Sequence, residues 1–172
     1  MGNGYSIQAL GHHDEVEGFA CGTRELNKFI KRKALTDQDL SVSKTYVAAL
    51  PDNRVIGYIT ITLAQILTSQ IPETLQGDLP TRYPLSAQRL ARWAVDQNWQ
   101  GYKVGKGLLR YAFLQMLEVA DKAGTAFVIV DAKDDELKSK YQNELGFVPL
   151  GEESYTLILP ISTLRSAYQH LG

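Results

Sequence analysis

Apolar residues return at three- and four-residue steps between Leu26 and Ala34, where Leu26, Phe29, Ile30 and Ala34 mark one face of a helix. Thr23 stands ahead of it as an N-cap and Glu25 falls in its first turn. Thr45–Leu50 and Val55–Leu63 are instead rich in β-branched and aromatic residues. Pro51-Asp52-Asn53 between them is a turn signal, so a β-hairpin is predicted. Thr68–Ser86 holds Pro72, Pro80 and Pro84 without any period and reads as a long loop. Strand character returns over Arg89–Val95. The longest stripe follows: Val104, Leu108 and Ala112, with Leu109, Phe113, Met116, Leu117 and Ala120, make a broad apolar helix face. Lys106, Arg110, Glu118, Asp121 and Lys122 fall elsewhere on that wheel, and Gly124 stands where the helix stops. Phe127–Val130 is uninterruptedly apolar, as in a strand covered on both faces. Leu137–Leu145 predicts another helix, Phe147–Leu150 and Tyr155–Leu159 closing strands, and Ser162–His170 a terminal helix beyond Pro160. The order β, α, β, β, loop, β, α, β, α, β, β predicts a mixed α/β domain with helices packed on one sheet.

Length and charge narrow the possibilities. A chain of 172 residues, without repeat or dividing linker, is expected to form one domain. Its 18 basic and 19 acidic residues give a net charge of −1, so any RNA contact requires a local patch. Lys28, Lys31, Arg32 and Lys33 on the first helix, with Lys44, Arg82 and Arg89, are the candidates, against the simpler reading of solvated surface charge. The single cysteine, Cys21, excludes an internal disulfide and reads as a small buried apolar residue. His12 and His13 lack companions at metal-ligand spacing, so no metal is expected. Neither a signal peptide nor eighteen uninterrupted apolar residues occur, which points to a soluble cytoplasmic protein away from membranes.

The candidate chemistry lies between the strand Arg89–Val95 and the long helix. Gln100-Gly101-Tyr102-Lys103-Val104-Gly105-Lys106-Gly107 joins them. A helix start carries N–H groups without internal partners, and glycines let the backbone approach a phosphate. Taken alone, such a turn serves tight packing as readily as anion binding. The glycine spacing at 101, 105 and 107 fits neither the dinucleotide fingerprint nor the P-loop.

The run from Arg89 to Leu109 resembles motif A of the GNAT acetyltransferases, whose pyrophosphate loop reads Gln/Arg-x-x-Gly-x-Gly/Ala. Gln100 and Gly105 occupy the outer positions, and Lys103 replaces the middle glycine. If that position requires a positive φ, a side chain there costs about 1–2 kcal/mol; attraction between the ammonium and a pyrophosphate is a compensation. Ala132–Asp135, Tyr141 and Gly146-Phe147 are similar to motif B, with a tyrosine just ahead of Gly-Phe. Counted back from Gly146, Tyr141 lies one residue early, as if the turn held an insertion. Phe19–Gly22, Leu26–Phe29, Ser43–Val47, Gly57–Thr60, Arg82–Pro84 and Arg92–Asp96 extend the likeness to the toxin branch represented by TacT and AtaT.

The resemblance implies a GNAT fold of six to seven mostly antiparallel strands and direct acetyl transfer from acetyl-CoA to a primary amine. On that reading Gln100–Gly107 holds the diphosphate and main-chain groups of Trp93, Ala94 and Val95 polarise the thioester carbonyl. Tyr141 protonates the departing thiolate. Arg92 and Arg82 are the tentative substrate residues, with sheet bracing the other role for Arg92. The branch acts on the α-amino group of aminoacyl-tRNA, commonly beside a ribbon-helix-helix antitoxin, and many relatives are homodimers. Acetylation of a small-molecule or protein amine, and a non-catalytic acyl-CoA-binding module, remain open alternatives.

Overall fold

A computed structural model describes residues 4–168. Seven strands form one sheet in the order β1-β2-β3-β4-β5-β7-β6: β1 Ser6–Ala9, β2 Lys44–Ala49, β3 Val55–Ile66, β4 Leu85–Val95, β5 Phe127–Asp131, β6 Val148–Pro149 and β7 Thr156–Pro160. Among the described residues six helices accompany them: α1 Arg24–Arg32, α2 Ala34–Asp39, α3 Glu73–Gln76, α4 Val104–Lys122, α5 Asp135–Leu145 and α6 Ile161–Tyr168. The fold is the mixed α/β one that the pattern implied. The chain divides into two compact units, and β3, β4 and α4 each pass through both.

The first unit comprises the chain to Thr62 with Ala91–Phe113. The hairpin pairs β2 with β3 antiparallel, and Asn53 takes the left-handed φ of +72° that its turn needs. Phe29, Ile30 and Ala34 bury the apolar helix stripe against Phe19, Val47 and Tyr58. That stripe is not one helix: α1 ends at Arg32 and α2 begins at Ala34, with the Lys33 N–H returning to the Phe29 carbonyl. Thr23 does occupy the N-cap, but its side chain makes no capping bond.

On the opposite face, α4 lies close to the sheet because Gly57 of β3 has no side chain. A Cβ there would stand 2.9 Å from Leu108 Cδ1, 3.1 Å from Val104 Cγ1 and 3.3 Å from the Ala94 carbonyl. Every neighbour is packed core or main chain, so the position fixes the depth of the first turns of α4.

The second unit comprises Leu63–Leu90 and the chain from Leu114. Here β4 and β5 run parallel from Ala87↔Phe127 to Leu90↔Val130, and β7 pairs antiparallel with both β5 and β6. Phe127–Val130 is fully buried, as its unbroken apolar run predicts. Several boundaries differ from the sequence reading. β4 begins at Leu85 rather than Arg89, and the preceding loop contains the turn Thr68–Gln70 and the short α3. Buried Gln88 explains part of this, because its amide donates to the Met116 carbonyl and Thr125 Oγ1, a use of a polar residue that hydropathy does not register. α5 starts at Asp135, and only Val148–Pro149 of the expected Phe147–Leu150 is strand. α6 appears as expected up to Tyr168, the rest of that expectation lying outside the described residues. Among the described residues no helix is long and apolar enough to cross a membrane.

Candidate active site

In the first unit, β4 alternates its side chains between the two faces of the sheet. Trp93 and Val95 meet the first turn of α4, where a Cβ on Gly105 would stand 3.4 Å from each of them. The Trp93 indole N–H donates to the Gly105 carbonyl at 3.2 Å. Arg92, on the other face, places its guanidinium 4.0 Å from the centre of the Phe29 ring. Its observed contact is therefore a brace between β4 and α1, worth about 0.5–2 kcal/mol for a cation over an aromatic face.

Between β4 and α4 the chain makes a single 3₁₀ turn, Gln97–Trp99, and then the glycine-containing loop. Asp96 caps that turn, its carboxylate accepting the Asn98 N–H at 2.9 Å. Gln100 turns its amide inward and donates to the carbonyls of Val95 at 3.0 Å and Cys21 at 3.3 Å. Gly101 has φ +87° and Lys103 φ +64°. The motif position that normally carries glycine thus keeps glycine's left-handed backbone although a lysine occupies it, at a cost of about 1–2 kcal/mol.

The Gly107 N–H closes the first helical bond, to the Lys103 carbonyl at 3.1 Å. The N–H groups of Val104, Gly105 and Lys106 precede that bond, and as first-turn amides they have no carbonyl one turn earlier. No acidic residue lies in this first turn, while Lys106 does and Lys103 directly precedes it, both exposed. Cations beside a positive helix end are unfavourable by about 0.3–1 kcal/mol each, so this arrangement suits a bound anion. Tyr102 is exposed and packs its ring 5.9 Å from that of Trp99.

The second unit holds Tyr141, on α5. Asp134 caps this helix by accepting the Leu137 N–H at 2.8 Å. The Tyr141 ring is buried and lies 5.5 Å from Phe147. Burial pushes its phenol up to about 12, with the nearby Asp131 carboxylate adding to the shift. The phenol therefore keeps its proton at neutral pH. At the end of α5 the Gly146 N–H donates to the Gln142 carbonyl at 3.2 Å, with the Tyr141 carbonyl as its second acceptor, and the Phe147 N–H reaches the Tyr141 carbonyl at 3.1 Å. Gly146 ends the helix at φ +77°. Asp131 also pairs with Arg89 and accepts the Thr156 hydroxyl at 2.7 Å.

The other singled-out residues are simpler. Arg82 is exposed in the loop before β4. Cys21 is half-buried and packs against the core around Phe29, with its N–H held by Asn27 Oδ1. What sequence reasoning missed is Asp96 as a junction, since its other carboxylate oxygen accepts the N–H of Ala20 at 3.0 Å. The repeated likeness of Phe19–Gly22 and Arg92–Asp96 to one branch was the available signal. Among the described residues no group of histidine, cysteine and carboxylate side chains could hold a metal ion.

No protein-family model matches the chain. A tRNA-acetylating toxin of Mycobacterium tuberculosis is 28% identical over 140 residues, 81% of this chain and 82% of the relative. A probable toxin TacT of Sinorhizobium fredii is 29% identical over 161 residues, covering 90% and 88%. Among solved structures, a tyrosine-to-phenylalanine mutant of KacT superposes with a TM-score of 0.88 at 23% identity, covering 96% of this chain and 99% of its own. AtaT complexed with acetyl-methionyl-tRNAfMet gives 0.85 at 22% identity, covering 95% and 99%. A tyrosine-to-phenylalanine mutant of AtaT bound to acetyl-CoA and to the C-terminus of the antitoxin AtaR gives 0.79 at 20% identity, covering 96% and 99%. At these identities the structural likeness is one of fold.

Proposed function

Because the chain is related in sequence to tRNA-acetylating toxins and shares the GNAT fold of KacT and AtaT, we propose that it is an acetyl-CoA-dependent N-acetyltransferase acting on the α-amino group of aminoacyl-tRNA. All 172 residues would serve as one catalytic domain, working in the cytoplasm as the toxin of a toxin–antitoxin pair. The observation that carries the reading is the start of α4, where first-turn amides, two exposed lysines and a left-handed Lys103 combine with no acidic residue. That is a receptor for a polyanionic group such as the diphosphate of coenzyme A.

Acetyl-CoA supplies an activated acyl group. Gln100–Gly107 would hold its phosphates through main-chain amides, with Lys103 and Lys106 adding charge. Trp93, Ala94 and Val95 lie past the last β4–β5 pair, Leu90↔Val130, and their main-chain groups would polarise the thioester carbonyl. The substrate nitrogen attacks that carbon, the C–S bond breaks, and the nitrogen's surplus proton passes to water. Tyr141 gives its phenolic proton to the departing sulfur, a role that suits a buried phenol held protonated. Tyrosine-to-phenylalanine mutants of both KacT and AtaT appear among the solved relatives, in keeping with a tyrosine of special standing. An α-amino group, with an ordinary pKa of about 7.7–8, needs no strong base to become neutral.

Arg24, Lys28, Lys31, Arg32 and Lys33 lie on or beside α1, facing a single acid, Glu25, within the same stretch. This is the local patch that a chain of net charge −1 requires for tRNA. Arg82 is a further tRNA contact on this reading, and Arg92 supports the site from behind. An antitoxin segment, as AtaR provides for AtaT, would be the natural inhibitor. Incubation with labelled acetyl-CoA and total charged tRNA tests the proposal. Label is expected on aminoacyl-tRNA; label on polyamines or protein alone would favour the other acceptors, and no transfer to any amine would leave only a binding module.

A further inference from the structure

The segment Ala20–Gly22, about eighty residues before the glycine-containing loop, is bound onto the turn that leads into it. Ala20 donates its N–H to Asp96 Oδ2 at 3.0 Å, and its carbonyl accepts the Gln97 N–H at 2.8 Å. The Cys21 carbonyl accepts the Gln100 amide at 3.3 Å. Gly22 has φ +96°, and a Cβ there would stand 3.1 Å from Gln97 Nε2. Asn27 Oδ1 secures the far side by accepting the Cys21 N–H at 2.8 Å.

Asp96 is the centre of this clasp. It is buried, and no lysine or arginine pairs with it among the described residues. Its charge is instead met by main-chain N–H groups: Ala20 on one oxygen and Asn98 on the other. Its own N–H bonds the Ile56 carbonyl at 2.8 Å and its carbonyl accepts the Trp99 N–H at 2.9 Å. One residue thus joins the end of β4, the start of β3, the 3₁₀ turn and the remote segment. Hydrogen bonds to an ionised acceptor are the strong kind, and a buried carboxylate used this way is costly to replace. Immediately beyond stand the two left-handed residues, Gly101 and Lys103, whose conformation the surrounding structure must impose.

We infer that Asp96 is a positioning residue for the phosphate-binding loop, and that Ala20–Gly22, clasped by it, is an integral wall of that loop rather than a mere lead into α1. The inference rests on the reading of Gln100–Gly107 as the phosphate loop. Asp96 touches no substrate; it acts by fixing where the amides of that loop point.

Binding of CoA and of pantetheine, which lacks the phosphates, separates the possibilities. In Asp96→Asn one of the two N–H donors faces an NH₂ group in place of an oxygen. CoA affinity should fall about tenfold or more, while the weak pantetheine affinity, read by NMR titration, stays at the wild-type value. Equal loss for both ligands, or no loss for either, overturns the inference. If wild type binds CoA no more tightly than pantetheine, the phosphate-loop reading fails instead. Should Asp96→Asn not fold, Asn27→Ala releases the clasp from its other side. It should show the same loss confined to CoA, and a loss shared by pantetheine, or none, again overturns the inference.

Discussion

Trp93 holds Gly105 by a 3.2 Å hydrogen bond from its indole N–H to the glycine carbonyl, pinning the first turn of α4 to the last residues of β4. The same turn is seated from beneath by Gly57 of β3. Strand end and helix start are thereby a single rigid unit, which is what an anion receptor built from main-chain amides requires.

Gly57→Ala should show how firmly that seating is specified. The new methyl would meet Leu108, Val104 and the Ala94 carbonyl at 2.9–3.3 Å; the first two are buried core side chains and the third is main chain. Overpacking of this kind costs about 1–3 kcal/mol. A lowered denaturation midpoint with an unchanged slope is expected, together with weaker CoA binding. Wild-type stability would mean that α4 can lift off β3 without cost.

Lys103 separates backbone strain from charge. Lys103→Gly removes the penalty of φ +64° and should stabilise the protein by up to about 1 kcal/mol, the rest being offset by the greater freedom of glycine in the unfolded chain. It should also bind CoA several-fold more weakly, because an ammonium is lost beside the phosphates. Lys103→Met keeps the strain and loses the charge, so it should match the glycine variant in affinity. Both variants should gain about 0.3–1 kcal/mol, the cost of a cation beside a helix start, the glycine variant gaining its backbone share in addition. Unchanged or tighter CoA binding in both variants removes Lys103 from the cofactor site.

Much of this was legible along the chain. The α4 stripe from Val104 to Ala120 and the apolar run Phe127–Val130 announce their elements because burial imposes a period or its absence. The Gln100–Gly107 loop was legible for a similar reason: glycine at 101 and 105 marks, respectively, a left-handed turn and close packing on Trp93 and Val95. The likeness to motif A raised a positive φ at Lys103 only as a condition, which its φ of +64° meets. The Asp96–Ala20 bond was not legible, since nothing local in a sequence reports a hydrogen bond between residues 76 apart. Nor was the break at Lys33, where apolar spacing continues from the end of one helix into the start of the next.

Tyr141 yields both a kinetic and a pH prediction. Tyr141→Phe should lower turnover about 10²–10⁴-fold while leaving CoA affinity intact, and retained activity would remove it as the acid. Its phenol is held up to about 12 by burial, then by Asp131, against about 10 in an unfolded chain. Between these values the native state keeps a proton that the unfolded state has lost, so stability should fall as pH rises from 10 to 12. The full difference corresponds to about 2–3 kcal/mol. Chemical denaturation across that range should show a shallower decline in Tyr141→Phe; parallel curves would mean the buried phenol titrates normally.

Substituting the cations of α1 tests which acceptor the protein serves. Lys28 and Lys33 are exposed and Lys31 half-buried, and none of the three has a carboxylate partner among the described residues, whereas Arg32 faces Glu17 at 3.7 Å. Contacts between such free cations and RNA phosphates release counterions, so each one lost should reduce the slope of log affinity against log salt by about 0.7–0.9. Replacing Lys28 and Lys31 together by glutamine should therefore raise KM for aminoacyl-tRNA and flatten its salt dependence by a slope change of about 1.4–1.8. KM for acetyl-CoA should not move, and folding stability should change by less than about 0.5 kcal/mol per site. A small-amine substrate would behave differently, because it presents no row of phosphates for these lysines to meet. A KM indifferent to both salt and the double substitution would place the acceptor outside the nucleic acids.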